Sequence, residues 1–320
     1  MKKLSYIAIL LCILFVITGC CCHGKKKIGI AWRADSNSKG YIHVCRAIEA
    51  AGGEPVLLDQ VVSNEMPYAE GKVSQEAMDE NGILLQKYAD KIKARDLRKS
   101  NVSNVLKGIK AVVFTGGPDI SPTLFARPVP WHGLADDKRY DVNRDISDYL
   151  LMAHCLEQDI PVLGLCRGCQ VLGVVAGTDM IQDIPAHYAK LKNNPDYTHR
   201  LQKLPNVKRD YNPHPVKVIQ KKSLFAKIAG CDILPGCPSW HHQAVTNLKG
   251  TGLLATGTTE VNGIDIIEAI EIPNKKFVLG VQFHPEIAVT KNLDNAPNKG
   301  DYTSYEQALA FFKAIVSAAQ

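Results

Sequence analysis

The chain has 320 residues, of which 46% are hydrophobic and 22% charged; this is a globular composition with apolar content for a large core, and it excludes wholesale disorder. Its 24 glycines and 17 prolines follow no strict period, which excludes collagen-like and repeat architectures. The formal charge of +6 falls to +4 once Lys2 and Lys3 are taken away with residues 1–19, and the remaining lysines are scattered, which argues against a nucleic-acid partner.

The first element is an address. Lys2 and Lys3 precede an almost unbroken apolar run over residues 4–17, and Gly19-Cys20 follows. A charged start, an apolar stretch and a small residue at the boundary define an export signal. A cysteine directly after the small residue resembles the bacterial lipobox. Residues 1–19 would then be removed, Cys20 lipidated, and residues 20–26 left as a basic tether. The alternative is an uncleaved anchor helix, since residues 4–22 are just long enough to span a bilayer. Either reading puts the remainder, residues 27–320, outside the cytoplasm at a cell membrane or outer membrane.

That remainder alternates strands and helices. Strands are expected over residues 28–32, 56–58, 111–114 and 161–165, and helices over 40–51, 145–158 and 170–176. Short apolar runs alternating with helices argue for βαβ units and a parallel sheet covered on both faces. Later strands are expected over 216–219, 252–255, 264–272 and 277–283, with a closing helix over 304–319. Two excursions interrupt the pattern. Residues 64–107 contain a charged helix, expected over 75–97, and read as a surface insertion. Residues 121–143, polar and carrying Trp131, read as a loop bordering a site. Cys45 and Cys155 fall in helical patterns and read as small buried hydrophobes.

The chemistry lies at strand ends. Gly164-Leu165-Cys166-Arg167-Gly168 fits G-x-C-x-G, a cysteine nucleophile elbow between strand and helix. Cys166 would sit at a helix N-terminus, whose partial positive charge favours thiolate. The backbone N–H of Arg167 can help to hold an oxyanion. A second donor is expected from Gly116-Gly117, after the 111–114 strand. Val281-Gln282-Phe283-His284-Pro285-Glu286 supplies a histidine at a strand end, with a carboxylate two residues on to fix its tautomer.

Together, F-T-G-G, G-L-C-R-G-C-Q and V-Q-F-H-P-E resemble the class I glutamine amidotransferase-like superfamily. Ser239-Trp240-His241-His242-Gln243 narrows the resemblance to gamma-glutamyl-gamma-aminobutyrate hydrolases and related gamma-glutamyl hydrolases. Arg144-Asp145, Gly177-Thr178 with Gln182-Asp183-Ile184, and His214 are similar to segments of the same group; Ala176 stands where a glycine is usual. The resemblance implies a three-layer, flavodoxin-like α/β fold with a mostly parallel central sheet. It implies hydrolysis of a gamma-glutamyl amide through Cys166, His284 and Glu286, with Gly117 and Arg167 as oxyanion donors and a glutamyl thioester as intermediate. It implies no metal or organic cofactor. Gly116, Gln170, His241, His242 and Gln243 become substrate-side candidates, or else packing residues behind the site.

Other readings remain open. Cys166 and Cys169 form a C-x-x-C, which suits a redox protein or a disulfide that silences the nucleophile. A glutaminase half delivering ammonia to a synthase would carry the same motifs. A lipoprotein that only binds a gamma-glutamyl ligand is the non-catalytic alternative. His199, His214, His241 and His242 raise the question of metal, which is set aside because there is no H-E-x-x-H, no paired C-x-x-C and no spaced carboxylate set, and because three of these histidines fall in segments of the resemblance. Oligomeric state and leaving group are not legible, although an extracytoplasmic address favours scavenged or envelope substrates.

Overall fold

A computed structural model of the chain describes residues 24–35, 37–128 and 139–320. The export signal, Cys20 and Trp131 lie outside the described residues.

The first strands are β1 (Lys27–Ile30) and β2 (Glu54–Leu57), joined through helix α1 (Lys39–Ala50). The small hairpin β3 (Tyr68–Ala69) and β4 (Lys72–Val73) follows, then helices α2 (Gln86–Lys93) and α3 (Val102–Val105). Strand β5 (Ala111–Phe114) leads to α4 (Val142–Glu157), β6 (Val162–Leu165) and α5 (Arg167–Ala176). Next come β7 (Asp179–Ile181), α6 (Ile184–Lys192), β8 (Asn212–Val218), α7 (Leu224–Ala229), β9 (Ile233–Ser239) and β10 (Ala244–Thr246). The chain closes with β11 (Leu254–Val261), β12 (Ile264–Glu271), β13 (Val278–Val281), α8 (Pro285–Leu293) and α9 (Tyr305–Ala318).

Nine strands form one sheet in the order β2-β1-β5-β6-β13-β12-β11-β8-β9. The first five are parallel, and from β12 onward the pairing is antiparallel. Strands β5, β6 and β13 are fully buried along their length, as a sheet covered on both faces requires. Two apolar cores lie on its two faces. One is built around α4 and α5, with Ile146, Leu150, Leu172 and Val175; the other around α1 and α9, with Val44, Ile48, Phe311 and Phe312. The α/β architecture with its mostly parallel centre is the one expected.

Several elements differ from expectation. The charged helix expected over 75–97 is a 3-10 turn, Gln75–Ala77, and the separate helix α2. The break is chemical: the Asp79 carboxylate accepts the N–H groups of Asn81 and Ile83, and Gly82 takes φ +75°. The strand expected over 216–219 is the second half of β8, whose first half holds Pro213 and Pro215; β9 contains Pro235, Gly236 and Pro238, so breaker residues hid the start of β8 and all of β9. A register shift between His214 and Val216 absorbs the prolines. The strand expected over 252–255 starts later and runs through Thr258 and Thr259 to Val261, because Gly252 turns at φ +73°. Cys155 is buried as expected, whereas Cys45 is half-buried.

Candidate active site

Three adjacent parallel strands deliver the three motifs. Phe114 of β5 and Gly280 of β13 both stand level with Gly164 of β6. Residues just beyond these positions therefore emerge together at the carboxyl edge of the sheet, where open α/β sheets place their sites. Gly116-Gly117, Cys166 and His284 are brought side by side in this way.

Cys166 has φ +51° and ψ −104°, a conformation that L-residues avoid. The flanking glycines explain how the turn fits. A Cβ on Gly164 would come within 2.6 Å of the Gly168 backbone, and one on Gly168 within 2.4 Å of the Phe114 carbonyl oxygen. The strand and helix therefore pack backbone to backbone. The Cys166 N–H donates to the Val281 carbonyl at 2.8 Å, which pins the elbow to β13. Its side chain lines a cavity of about 360 Å³. Arg167 opens α5, so its N–H has no acceptor within the helix.

His284 Nδ1 lies 2.6 Å from Glu286 Oε1. The opposite nitrogen, Nε2, converges with the Cys166 side chain: a Cβ placed on Gly116 would stand 3.6 Å from both His284 Nε2 and Cys166 Cβ. Burial opposes a charged imidazole here. The Glu286 carboxylate and the hydrogen-bonded Cys166 sulfur outweigh it and raise His284 well above the ordinary histidine range. The Pro238 carbonyl accepts the His284 N–H at 2.8 Å, and Tyr211 packs edge-on against the ring at 5.1 Å.

The Gly-Gly turn is braced from helix α4. Arg144 donates to the carbonyls of Gly116 and Thr115, each at 2.8 Å, and to the Thr115 hydroxyl at 3.0 Å. Arg144 Nε also faces Asp148 at 3.2 Å. Arg167 is fully buried and pairs with Asp145 at 2.6 Å and with Asp148. The other oxygen of Asp145 accepts the Ser121 N–H. Gly117 has no room for a side chain, since a Cβ would fall 1.9 Å from Arg144 Nη1. The Arg144-Asp145 pair is thus a brace behind the expected oxyanion donors. Asp148 and Arg33, which donates to the Gly116 carbonyl at 3.3 Å, were missed. Asp148 sits one helical turn after Arg144, and that spacing was its only sequence signal.

The substrate-side candidates all line cavities that open on Cys166. Most of their polar atoms face protein. Gln170 donates to the Gln243 carbonyl at 3.2 Å, and Gln243 donates to the Gln182 carbonyl at 3.1 Å. His242 stands between Asp119 and Asp183, 3.0 Å from each. Burial opposes its protonation, but the two carboxylates together raise it. Arg33, Arg139, Arg200, Lys203 and Arg209 share the same cavity with Asp119, which makes its wall strongly cationic.

Cys169 is buried against β13, its sulfur 3.0 Å from where a Gly280 Cβ would be, and burial pushes its thiol well up. Cys166 and Cys169 are both free thiols. The premise that no carboxylate joins the histidines does not hold: Glu268, on β12, meets His199, His214 and His241 in the fold.

The Peptidase C26 family profile matches residues 92–286. A putative glutamine amidotransferase of Mycobacterium tuberculosis is 33% identical over 222 residues, which cover 68% of this chain and 58% of that protein. A putative glutamine amidotransferase-like protein of Rickettsia prowazekii is 28% identical over 70% of this chain and 82% of its own length. The gamma-glutamyl-gamma-aminobutyrate hydrolase PuuD of Escherichia coli is 28% identical over 58% of this chain and 68% of its own. The chain belongs to the Peptidase C26 family and has a class I glutamine amidotransferase-like fold.

Proposed function

We propose that the protein hydrolyses gamma-glutamyl amides with Cys166 as nucleophile. The observation that carries this reading is the elbow: a cysteine at φ +51° at the head of α5, beside a histidine whose far nitrogen is held by a carboxylate. The Cys166 thiolate attacks the side-chain carbonyl carbon of the glutamyl unit. The N–H groups of Gly117 and Arg167 hold the oxygen as it becomes negative. The His284 imidazolium gives its proton to the leaving amine as the C–N bond breaks, which leaves a glutamyl thioester. Neutral His284 then takes a proton from water, the resulting nucleophile cleaves the thioester, and glutamate and free thiolate are regenerated. Glu286 keeps the proton of His284 on Nδ1 when the ring is neutral and balances its charge when it is not. No cofactor enters these steps.

The cationic wall supports a substrate that carries carboxylates on both sides of the scissile bond. A gamma-glutamyl unit has one at its α-carbon, and an amino-acid leaving group supplies another. We place the protein outside the cytoplasm, tethered through lipid on Cys20, from the signal alone.

The test is glutamate release from a panel of gamma-glutamyl amides, with free glutamine included and Cys166→Ala as control. Release from amino-acid conjugates, lost in Cys166→Ala, is the expected outcome. Release from glutamine alone would favour a glutaminase working with a synthase. Binding without release from any member would overturn the hydrolase.

A further inference from the structure

Four residues far apart in the chain meet beside the active-site cavity. His199, in the segment between α6 and β8, His214 on β8, His241 just past β9 and Glu268 on β12 are all buried. One ligand atom from each lies within 4.8 Å of the others. His199 Nδ1, His241 Nε2 and His214 Nε2 stand 2.9, 3.4 and 3.8 Å from Glu268 Oε1. These four atoms, together with Glu268 Oε2 and His199 Nε2, have no aligned hydrogen-bond partner among the described residues. Buried polar atoms are almost always satisfied, so a group of orphans facing one another calls for an explanation.

The outer nitrogens show what the inner ones carry. His241 Nδ1 is 2.9 Å from the backbone carbonyl oxygen of Gln243. His214 Nδ1 is 3.3 Å from the Pro215 carbonyl oxygen and 3.2 Å from the Thr259 hydroxyl, which donates its own hydrogen to that same carbonyl. A carbonyl can only accept, so each neutral ring has its N–H on Nδ1 and turns an Nε2 lone pair inward. Two lone pairs and a carboxylate then share one buried space with the His199 ring. Imidazoles that donate one nitrogen to a backbone carbonyl and free the other are arranged as metal ligands are.

We propose that His199, His214, His241 and Glu268 bind one divalent transition-metal ion, best matched by Zn²⁺, in a closed four-coordinate site. Three imidazoles and a carboxylate suit zinc. Tetrahedral bonds of about 2.0–2.2 Å separate donor atoms by about 3.3–3.6 Å, within the 2.9–4.8 Å spread of this cluster. All four positions are filled by protein, so the site is structural. The ion fastens the segment after α6 to β8 and β12. That segment carries Arg200, Lys203 and Arg209 of the cavity wall, so the metal sets where the cationic wall stands. The inference does not depend on hydrolysis being the activity.

The experiment titrates the full chain, stripped with a chelator, with Zn²⁺ by calorimetry and with Co²⁺ by visible absorption. Expected are one equivalent of Zn²⁺, a raised Tm, and the intense visible bands of tetrahedral cobalt without the thiolate charge-transfer band that Cys166 or Cys20–Cys22 would add. Glu268→Gln and His214→Ala should each weaken Zn²⁺ binding at least ten-fold; two variants are used in case one fails to fold. Absence of binding by folded wild type, a thiolate or six-coordinate cobalt spectrum, or unchanged affinity in the folded variants would overturn the proposal, and the cluster would then be a protonated histidine–glutamate network.

Discussion

His284 is set between two negative groups, and that position makes its proton a measurable quantity. Its folded pKa is raised because the imidazolium faces the Glu286 carboxylate and the Cys166 sulfur. Turnover that needs the imidazolium therefore falls only when pH rises through that elevated value. Glu286→Gln removes one of the two charges, so the alkaline limb of kcat/KM moves to lower pH and kcat falls; an unmoved limb would mean that the limb reports another group. His242 gives a stability counterpart. Its folded pKa is raised above 6.5 by Asp119 and Asp183, so its contribution is complete below about pH 6.5 and is lost as pH rises through the folded value. In His242→Asn the fall in Tm between pH 6 and pH 9 should be shallower than in wild type. At Gly117 the geometry is stricter, because a Cβ would strike Arg144. Gly117→Ala should reduce kcat on the order of 10²-fold, the usual cost of one misplaced oxyanion donor, with KM changed much less. The residues legible in the sequence are those whose chemistry is contained in a short motif: Cys166, Gly116-Gly117 and His284 with Glu286. Arg33 and Glu268 act through partners distant in the chain, and Asp148 through a helical turn that no motif names, so only the fold could show them.

At the scale of elements, the close approach of α5 to β5 and β6 governs the site. Gly168→Ala would push a methyl group into the Phe114 carbonyl oxygen. Neither partner is a flexible side-chain end, so a loss of about 1–3 kcal/mol is expected, read as a lowered Tm. The same packing bears on Cys169. Its sulfur is turned toward β13 and Cys166 lines the cavity, so Cys169→Ser should leave the response of activity to oxidant and reductant unchanged. Strands β5, β6 and β13 were legible because each is an apolar run in a doubly covered sheet, and β1 because only its first residue, Lys27, is polar and exposed. The first half of β8 and all of β9 were obscured by breaker residues, Pro213 and Pro215 in one and Pro235, Gly236 and Pro238 in the other, and a register shift lies beside the β8 prolines. The helix expected over 75–97 failed for the opposite reason, since charge periodicity persisted through a turn that the Asp79 carboxylate and Gly82 impose locally.

At the scale of the whole molecule, a lipid on Cys20 should be detectable as incorporation of labelled palmitate into the expressed chain; Cys20→Ala should abolish it, and label retained in that variant would point to another acceptor. The described residues contain no helix long and apolar enough to cross a membrane. The sheet divides along its order. Its parallel strands end in the Gly-Gly turn, Cys166 and His284, while its antiparallel strands carry the histidine–glutamate cluster and lead into Trp240 and His241. The two halves meet at the pairing of β13 with β12, and the Pro238 carbonyl reaches back to the His284 N–H. The fold is therefore divided like a tool with a fixed blade and an exchangeable jaw. On the proposed reading, substitutions in the antiparallel half that spare Pro238 bear on what the cavity accepts through Trp240 and His241, whereas those at the three parallel strand ends bear on bond cleavage.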